Sequence, residues 1–393
     1  MRWDIFCKVV DNFGDIGVCW RLSRQLATER GFAVRLWVDD VAALARIWPG
    51  IDPEAAAQSA AGVDIRHWSD GTRFADLLPG DVVIEAFGCD VPAQFVDSMT
   101  KRRPQPAWFN LEYLSAENWV ESHHLLPSPH PRVPLVKHFY YPGFTRRTGG
   151  LLREARLFDT RDAFLGDRDA IAAWWQANGV TDMSADASTE RPAGKHRRQH
   201  RELRISMFAY ANPAAPVLFD AWSQGKRLIT CVVPEGVLND EIATFLGVGI
   251  PAGRTVIRRN LRIVRVPFMK QTEYDRLLWI ADFNFVRGED SFVRAQWAAR
   301  PFVWNIYPQA GNAHAPKLAA FVARYGASLG DGLRPHVASL FNAWNGRGDM
   351  GMAWVAVEPH LREWTSGAST WSTKLASQRD LASELAENAE NRL

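Results

Sequence analysis

Apolar positions from Trp3 to Val10 run almost without a break, and this density of β-formers predicts a buried strand. After Gly17 the spacing turns helical. Cys19, Leu22, Ser23 and Leu26 fall on one face, with Arg21, Arg24 and Gln25 on others. Between the two lies Asp11-Asn12-Phe13-Gly14-Asp15-Ile16-Gly17, so the stretch reads strand, tight glycine-bearing turn, helix. In an open α/β sheet such a turn sits at the carboxyl edge of the strands, where ligands bind.

The same alternation continues. Ala33–Val38, Val63–His67, Asp81–Phe87 and Ala107–Leu111 read as strands, and Val41–Trp48 as a helix stopped by Pro49-Gly50. Prolines are dense from Pro127 to Pro142, so no regular structure is expected there. The loop Pro142-Gly143-Phe144-Thr145 and onward to Gly150 is expected to leave the first domain near a cleft. Asp162 to Asn178 reads as one helix, and 184–200 as a polar linker ending in Lys195-His196-Arg197-Arg198. A second α/β series follows, with strands at Leu203–Phe208, Lys226–Val233, Arg262–Val266, Asp282–Val286 and Pro301–Ile306. Thr272 is placed to cap a helix with Asp275 as a capping-box variant. Ser291–Ala299 reads as a helix, and Leu375–Leu393 as a charged one. Two such series predict parallel sheets with helices on both faces, and 393 residues suit two domains. The expected boundaries are 1–155 for a first Rossmann-like domain, 156–202 for a helix and linker, 203–365 for a second Rossmann-like domain, and 366–393 for a helical tail.

Composition narrows the partners. A formal charge of +2 gives no electrostatic case for nucleic acid or a membrane surface. No apolar run is long enough to span a bilayer, and Asp4 and Lys8 interrupt any signal-peptide pattern. Cys7, Cys19, Cys89 and Cys231 are widely spaced without a C-x-x-C, which suits buried thiols in a reducing, cytoplasmic compartment. His123, His124 and His130 lack a second ligand pair and read as surface or loop histidines rather than a metal site.

The chemistry-bearing residues cluster at two turns. Asp11 and Asp15 would repel a phosphate, so the first turn reads either as a base or cation-binding site or as a pair of capping acids. Arg287-Gly288-Glu289-Asp290-Ser291-Phe292 repeats the strand–turn–helix logic in the second half. There Glu289 suits ribose hydroxyls, and the amides of Asp290 and Ser291 at a helix start suit a diphosphate, with the Ser291 hydroxyl a further donor. The other reading of this turn is an acidic capped helix. Phe208 and Tyr210 close a strand in the same half and offer rings for a base or a wall for a sugar. Phe268 and Gln271 offer a ring and an amide to a pyrimidine. Glu112 and Tyr113, following Ala107–Leu111, fall at the carboxyl edge of the first half and are expected acceptor contacts. A nucleotide diphosphate in one half and acids in the other suggest transfer across a cleft.

Four stretches, D-N-F-G-D-I-G-V-C-W-R-L, N-L-E-Y-L-S-A-E-N-W-V, P-G-F-T-R-R-T-G-G-L and F-N-F-V-R-G-E-D-S-F-V-R-A-Q, resemble the elongation factor P arginine rhamnosyltransferases. The resemblance runs from the first strand to at least Lys317 and is weakest over 184–201 and in the C-terminal tail. It implies a GT-B fold of two facing Rossmann-like domains with a cleft between them. It implies transfer of rhamnose from dTDP-β-L-rhamnose to an arginine of elongation factor P with inversion, without a metal or cofactor. Asp15 matches the general base and Asp11 an acid that holds the site. Phe208, Tyr210, Phe268, Gln271, Glu289, Asp290 and Ser291 match donor positions. The competing expectations are a GT-B enzyme for a small-molecule or lipid acceptor, and a nucleotide-sugar-binding module without turnover.

Overall fold

A computed structural model describes residues 1–74, 76–180 and 202–393. The basic run 195–201 lies outside them. The first sheet contains β1 (Arg2–Cys7), β2 (Ala33–Val38), β3 (Ala57–Ala60), β4 (Val63–His67), β5 (Val82–Ala86), β6 (Ala107–Leu111), β7 (Pro127–Pro129) and β8 (Val136–Tyr140). Their spatial order is β3-β4-β2-β1-β5-β6-β8-β7. Only the two edge strands, β3 on β4 and β7 on β8, pair antiparallel. β1 lies at the centre, with Ile5 opposite Leu36 on one side and Ile84 on the other. Its residues from Trp3 to Cys7 are buried, as a strand covered on both faces requires. Phe6 anchors one face, stacked on Trp37 at 5.6 Å and edge-on to Phe95 at 4.9 Å.

The second sheet contains β9 (Leu203–Met207), β10 (Ile229–Pro234), β11 (Thr255–Arg258), β12 (Leu261–Val266), β13 (Phe283–Arg287) and β14 (Phe302–Asn305), in the order β11-β12-β10-β9-β13-β14. It too is parallel apart from its antiparallel edge strand β11. The strand order switches sense between β1 and β5 in the first sheet and between β9 and β13 in the second, although both pairs run parallel. Crevices open at such switch points, at the carboxyl ends of the strands.

The chain divides into two compact units. One comprises Met1–Leu157, Ala315–Phe321 and Lys374–Leu393; the other comprises Phe158–His314 and Val322–Thr373. The first unit therefore receives two pieces from the far end of the chain. Leu381 donates its amide to Leu151 O, and Gln25 Nε2 reaches Asp380 at 3.0 Å. Among the described residues no helix is long and apolar enough to cross a membrane.

Several elements differ from the sequence expectation. β1 stops at Cys7 because the next amides turn to carboxylates: Val9 N donates to Asp39 and Val10 N to Asp15. The following helix starts at Gly14, not after Gly17. Strands β7 and β8 occupy the proline-rich 127–142. Prolines are tolerated because β7 is an edge, and Lys137-His138-Phe139-Tyr140 pairs with β6. The expected helix from Asp162 to Asn178 is two, Leu157–Gly166 and Arg168–Ala177, parted at Asp167, whose carboxylate accepts from Ala170 N. The C-terminal helix is likewise two, Leu361–Ala376 and Leu381–Glu390, with Asp380 capping the second. Thr272 caps nothing: the helix Gln271–Ile280 begins before it, and Asp275 instead forms a buried pair with Arg294 at 2.8 and 3.0 Å. The 142–150 loop folds back into the first unit, with Gly143 N on Gly150 O and Gln378 Nε2 on Phe144 O.

Candidate active site

The first turn is built around one carboxylate. Asn12 takes a left-handed φ of 32°, which swings the chain round so that Gly14 N donates to Asp11 O at 2.6 Å. A Cβ at Gly14 would run into the Asp11 carboxylate, so a larger residue there would displace that acid. Asp15 then lies in the first turn of the helix Gly14–Arg30, 1% exposed, and its Oδ2 accepts from the amides of both Val10 and Asp11 at 2.8 Å. Asp11 is 8% exposed beside it. Burial pushes the proton affinity of Asp15 above the ordinary carboxylate range. The Asp11 and Val10 amides and a hydrogen bond from Tyr113 oppose that push, and the charge of Asp39 adds to it. A buried carboxylate with raised proton affinity suits proton abstraction.

Two further elements meet this turn. β6 runs on into Glu112 and Tyr113, with Glu112 N donating to Tyr140 O at 2.9 Å. Glu112 is half-buried, and its Oε1 accepts from Asn110 Nδ2 at 2.7 Å. Burial raises its proton affinity; Lys137 opposes this, Glu85 adds to it, and Asn110 and Lys317 oppose it in turn. Lys137 itself pairs with both Glu85 oxygens at 3.0 Å. The Tyr113 ring stacks on Phe87 with centroids 4.4 Å apart, and Lys317 Nζ lies 5.4 Å from its centre. Asp11, Asp15, Glu112 and Tyr113 thus belong to one edge of the first sheet, around its switch point.

The second set gathers at the switch point of the other sheet. Phe208 follows β9 and donates its amide to Phe285 O of β13. The Arg287 guanidinium lies 4.4 Å from the Phe208 ring and 4.7 Å from the Tyr210 ring, a stacked arrangement typical of arginine. Tyr210 N is held by Asn305 Oδ1 at 3.1 Å. Gly288 turns left-handed at φ 59°, and Trp304 Nε1 pins its carbonyl at 2.7 Å. Glu289 precedes the helix Asp290–Ala298, and Asp290 Oδ2 accepts from Gln271 Nε2 at 3.0 Å. Ser291 Oγ accepts from Arg287 N and donates to Arg287 O, so the hydroxyl closes its own turn. Tyr274, on the helix begun by Gln271, packs 5.4 Å from Phe208, and burial pushes its phenol well up. Phe268 is half-buried in the turn between β12 and that helix.

Sequence reasoning missed Phe87, Lys317 and Arg287 as members of these clusters. Arg287 carried a signal, since it ends a strand beside Gly288. Lys317 carried none, because only the fold brings the start of the helix Ala315–Gly326 to Tyr113. Among the three histidines, His124 is half-buried and accepts from Tyr141 N at 3.1 Å. Burial, with Arg392 nearby, lowers it to about 4. Among the described residues no group of three or more His, Cys, Asp or Glu side chains is arranged to hold a metal ion.

Residues 3–390 match the family model described as Elongation-Factor P (EF-P) rhamnosyltransferase EarP. A protein-arginine rhamnosyltransferase of Pseudomonas putida is 47% identical over 384 residues, covering 98% of this chain and 97% of the relative. One of the same name from Pseudomonas aeruginosa is 44% identical with the same coverage. A solved structure described as "Structural basis for EarP-mediated arginine glycosylation of translation elongation factor EF-P" superposes with a TM-score of 0.68 at 34% identity, over 100% of this chain and 99% of that one.

Proposed function

The chain belongs to the EF-P rhamnosyltransferase family and has its GT-B glycosyltransferase fold, and from that premise we propose the reaction it performs. It is a glycosyltransferase that rhamnosylates a protein arginine. The donor in this reading is dTDP-β-L-rhamnose, the acceptor a single arginine of elongation factor P, and the outcome at the anomeric carbon inversion. The reaction runs in the cytoplasm, without a metal ion or cofactor.

The observation that supports this most is the Asp15 carboxylate, buried at the switch point with one oxygen fixed by two amides. A guanidinium is always charged and is a poor nucleophile. A carboxylate beside it orients one nitrogen and takes its proton as that nitrogen bonds to the anomeric carbon. The bond from that carbon to the diphosphate oxygen breaks, and dTDP leaves with the electron pair. Asp15 receives the proton, and Asp11 holds the guanidinium in line. Glu112 and Tyr113 contact the acceptor.

On the donor side Glu289 binds the ribose hydroxyls, and the amides of Asp290 and Ser291 face the diphosphate, where a helix start favours negative charge. Phe208, Tyr210, Phe268 and Gln271 line the base and sugar. The pairing of Gln271 with Asp290 supports a common site for these residues.

The test incubates the protein and dTDP-β-L-rhamnose with folded elongation factor P, with a linear peptide around its arginine, and with a panel of small alcohols and lipids, each with and without chelator. The expected result is one deoxyhexose on an arginine of the folded protein, α-linked by NMR and insensitive to chelator. Transfer to a small molecule or lipid alone would replace the acceptor. Donor binding without any transfer would leave only a binding module.

A further inference from the structure

We propose that Asn110 is a positioning residue for Glu112: its buried side-chain amide, anchored on the bend after β5, fixes one oxygen of that carboxylate and leaves the other for a cationic side chain of the acceptor. The consequence for the acceptor rests on the reading of Glu112 as an acceptor contact.

β6 reads Ala-Trp-Phe-Asn-Leu, and Asn110 is its one polar residue, 4% exposed. It lies between Glu85 of β5 and Phe139 of β8 in the sheet. A buried amide in a covered strand costs stability unless both of its ends find partners. Here both do. Oδ1 accepts from Gly88 N at 3.2 Å, and Nδ2 donates to Glu112 Oε1 at 2.7 Å. Turning the amide over would set donor against donor at Gly88 and acceptor against acceptor at Glu112, so its orientation is fixed. A leucine of similar shape would fill the same space and make neither bond.

The anchored end is held by the backbone around it. Phe87 has φ 58° and Gly88 φ 65°, so the chain turns left-handed twice on leaving β5, and Phe87 N is tied to Leu111 O of β6 at 2.7 Å. The other end is charge-assisted, the stronger kind of hydrogen bond. Residues two apart on an extended chain share a face, which lets the Asn110 amide reach the Glu112 carboxylate. Glu112 N continues the ladder to Tyr140 O at 2.9 Å. Backbone and Oε1 are thus both fixed, while Oε2 makes no hydrogen bond among the described residues.

The charged and titratable groups facing Glu112 are Lys137, Glu85, Lys317 and the Tyr141 phenol. The two lysines favour its charged form and Glu85 opposes it, whereas a tyrosine is neutral where a carboxylate titrates. The Asn110 hydrogen bond favours the charged form as well. Removing Nδ2 therefore lets Glu112 take up its proton at higher pH.

The experiment follows the Glu112 carboxyl resonance against pH in full-length protein labelled with 13C-glutamate, assigned by its loss in Glu112→Gln. In Asn110→Leu, uncharged and of similar shape, the midpoint should rise by about 1 pH unit, the size of a hydrogen bond to a charged group. Asn110→Asp keeps an acceptor for Gly88 N, adds a like charge and should raise it further; it gives the reading if Asn110→Leu does not fold. With elongation factor P as acceptor, KM should rise about 10-fold in Asn110→Asp, more than kcat falls, with dTDP affinity unchanged. Asn110→Asp combined with Glu112→Gln exchanges donor and acceptor and restores the bond. Melting temperature should then return while KM does not, because the carboxylate is on the strand rather than at the rim. An unmoved midpoint in the Asn110 variants overturns the proposal whatever Glu112 does for the acceptor. Recovery of KM together with melting temperature in the double variant overturns it too, leaving Asn110 a purely structural residue. Unchanged KM in Glu112→Gln would instead overturn the reading of Glu112 as an acceptor contact, with the midpoint still deciding whether Asn110 holds that carboxylate.

Discussion

The turn after β1 and the turn after β13 each flank the switch point of their sheet, yet their acids face different partners. In the first, Asp15 lies inside the helix start and accepts the amides of its own turn, Val10 N and Asp11 N. In the second, Asp290 accepts from the Gln271 side-chain amide, while Ser291 Oγ closes the turn on Arg287. One junction concentrates negative charge that is shielded from water. The other sets a stacked arginine, two aromatic rings and a helix start side by side. A shared strand–turn–helix geometry therefore does not assign a chemistry. What distinguishes the first turn is that the Val10 and Asp11 amides ahead of its helix bind the protein's own Asp15 carboxylate, and amides so engaged are not offered to a phosphate.

The largest expected effect breaks the first turn alone. Asp15→Asn keeps the shape of the side chain and removes its basicity, so the transfer rate should fall about 10²- to 10⁴-fold in single-turnover mass spectrometry. Asp11→Asn should lower it less. A near-normal rate for Asp15→Asn would end the comparison as drawn.

A medium effect sharpens it through pH. Burial raises Asp15 above the ordinary carboxylate value of about 4. The base works only when deprotonated, so kcat/KM should fall on acidification along a one-proton limb centred above that value. The limb should be absent from the dTDP affinity, which depends on the other turn. A limb at the value of an exposed carboxylate would mean that the buried acid is not the group titrating.

A smaller effect concerns the frame that holds the first turn. His124 stays neutral in the folded protein down to about 4, whereas an unfolded chain takes up the proton near 6.5. Its contribution to stability is therefore present above about 6.5 and is lost as pH falls toward 4. Melting temperature measured across that window should drop, and His124→Gln, which keeps an acceptor for Tyr141 N, should flatten the drop.

Both turns were legible from local pattern, because a buried strand, a glycine and a helical face each leave a short-range signature. Asp11, Asp15, Glu289, Asp290 and Ser291 could be named for that reason. The breaks at Asp167 and Asp380 were legible in principle, as each is a capping aspartate between helical runs. Strand β8 was hidden by the prolines of the edge strand beside it. The links that unite each site were not in the local pattern at all. The stack of Phe87 on Tyr113 and the arrival of Lys317 depend on strand order and on chain pieces distant in sequence. Sheet topology could suggest that Glu112 and Tyr113 lie at the right edge. It could not show that Tyr113 stacks on Phe87.

The division of labour between the two turns is tested most directly by dTDP calorimetry on Asp15→Asn and Glu289→Ala side by side, each checked for native melting. Asp15→Asn should bind dTDP as the unaltered protein does, and Glu289→Ala should bind it more weakly by about 1–3 kcal/mol, the value of a lost hydrogen bond to a ribose. Weakened binding in Asp15→Asn with unchanged binding in Glu289→Ala would put the nucleotide at the wrong turn and contradict the account.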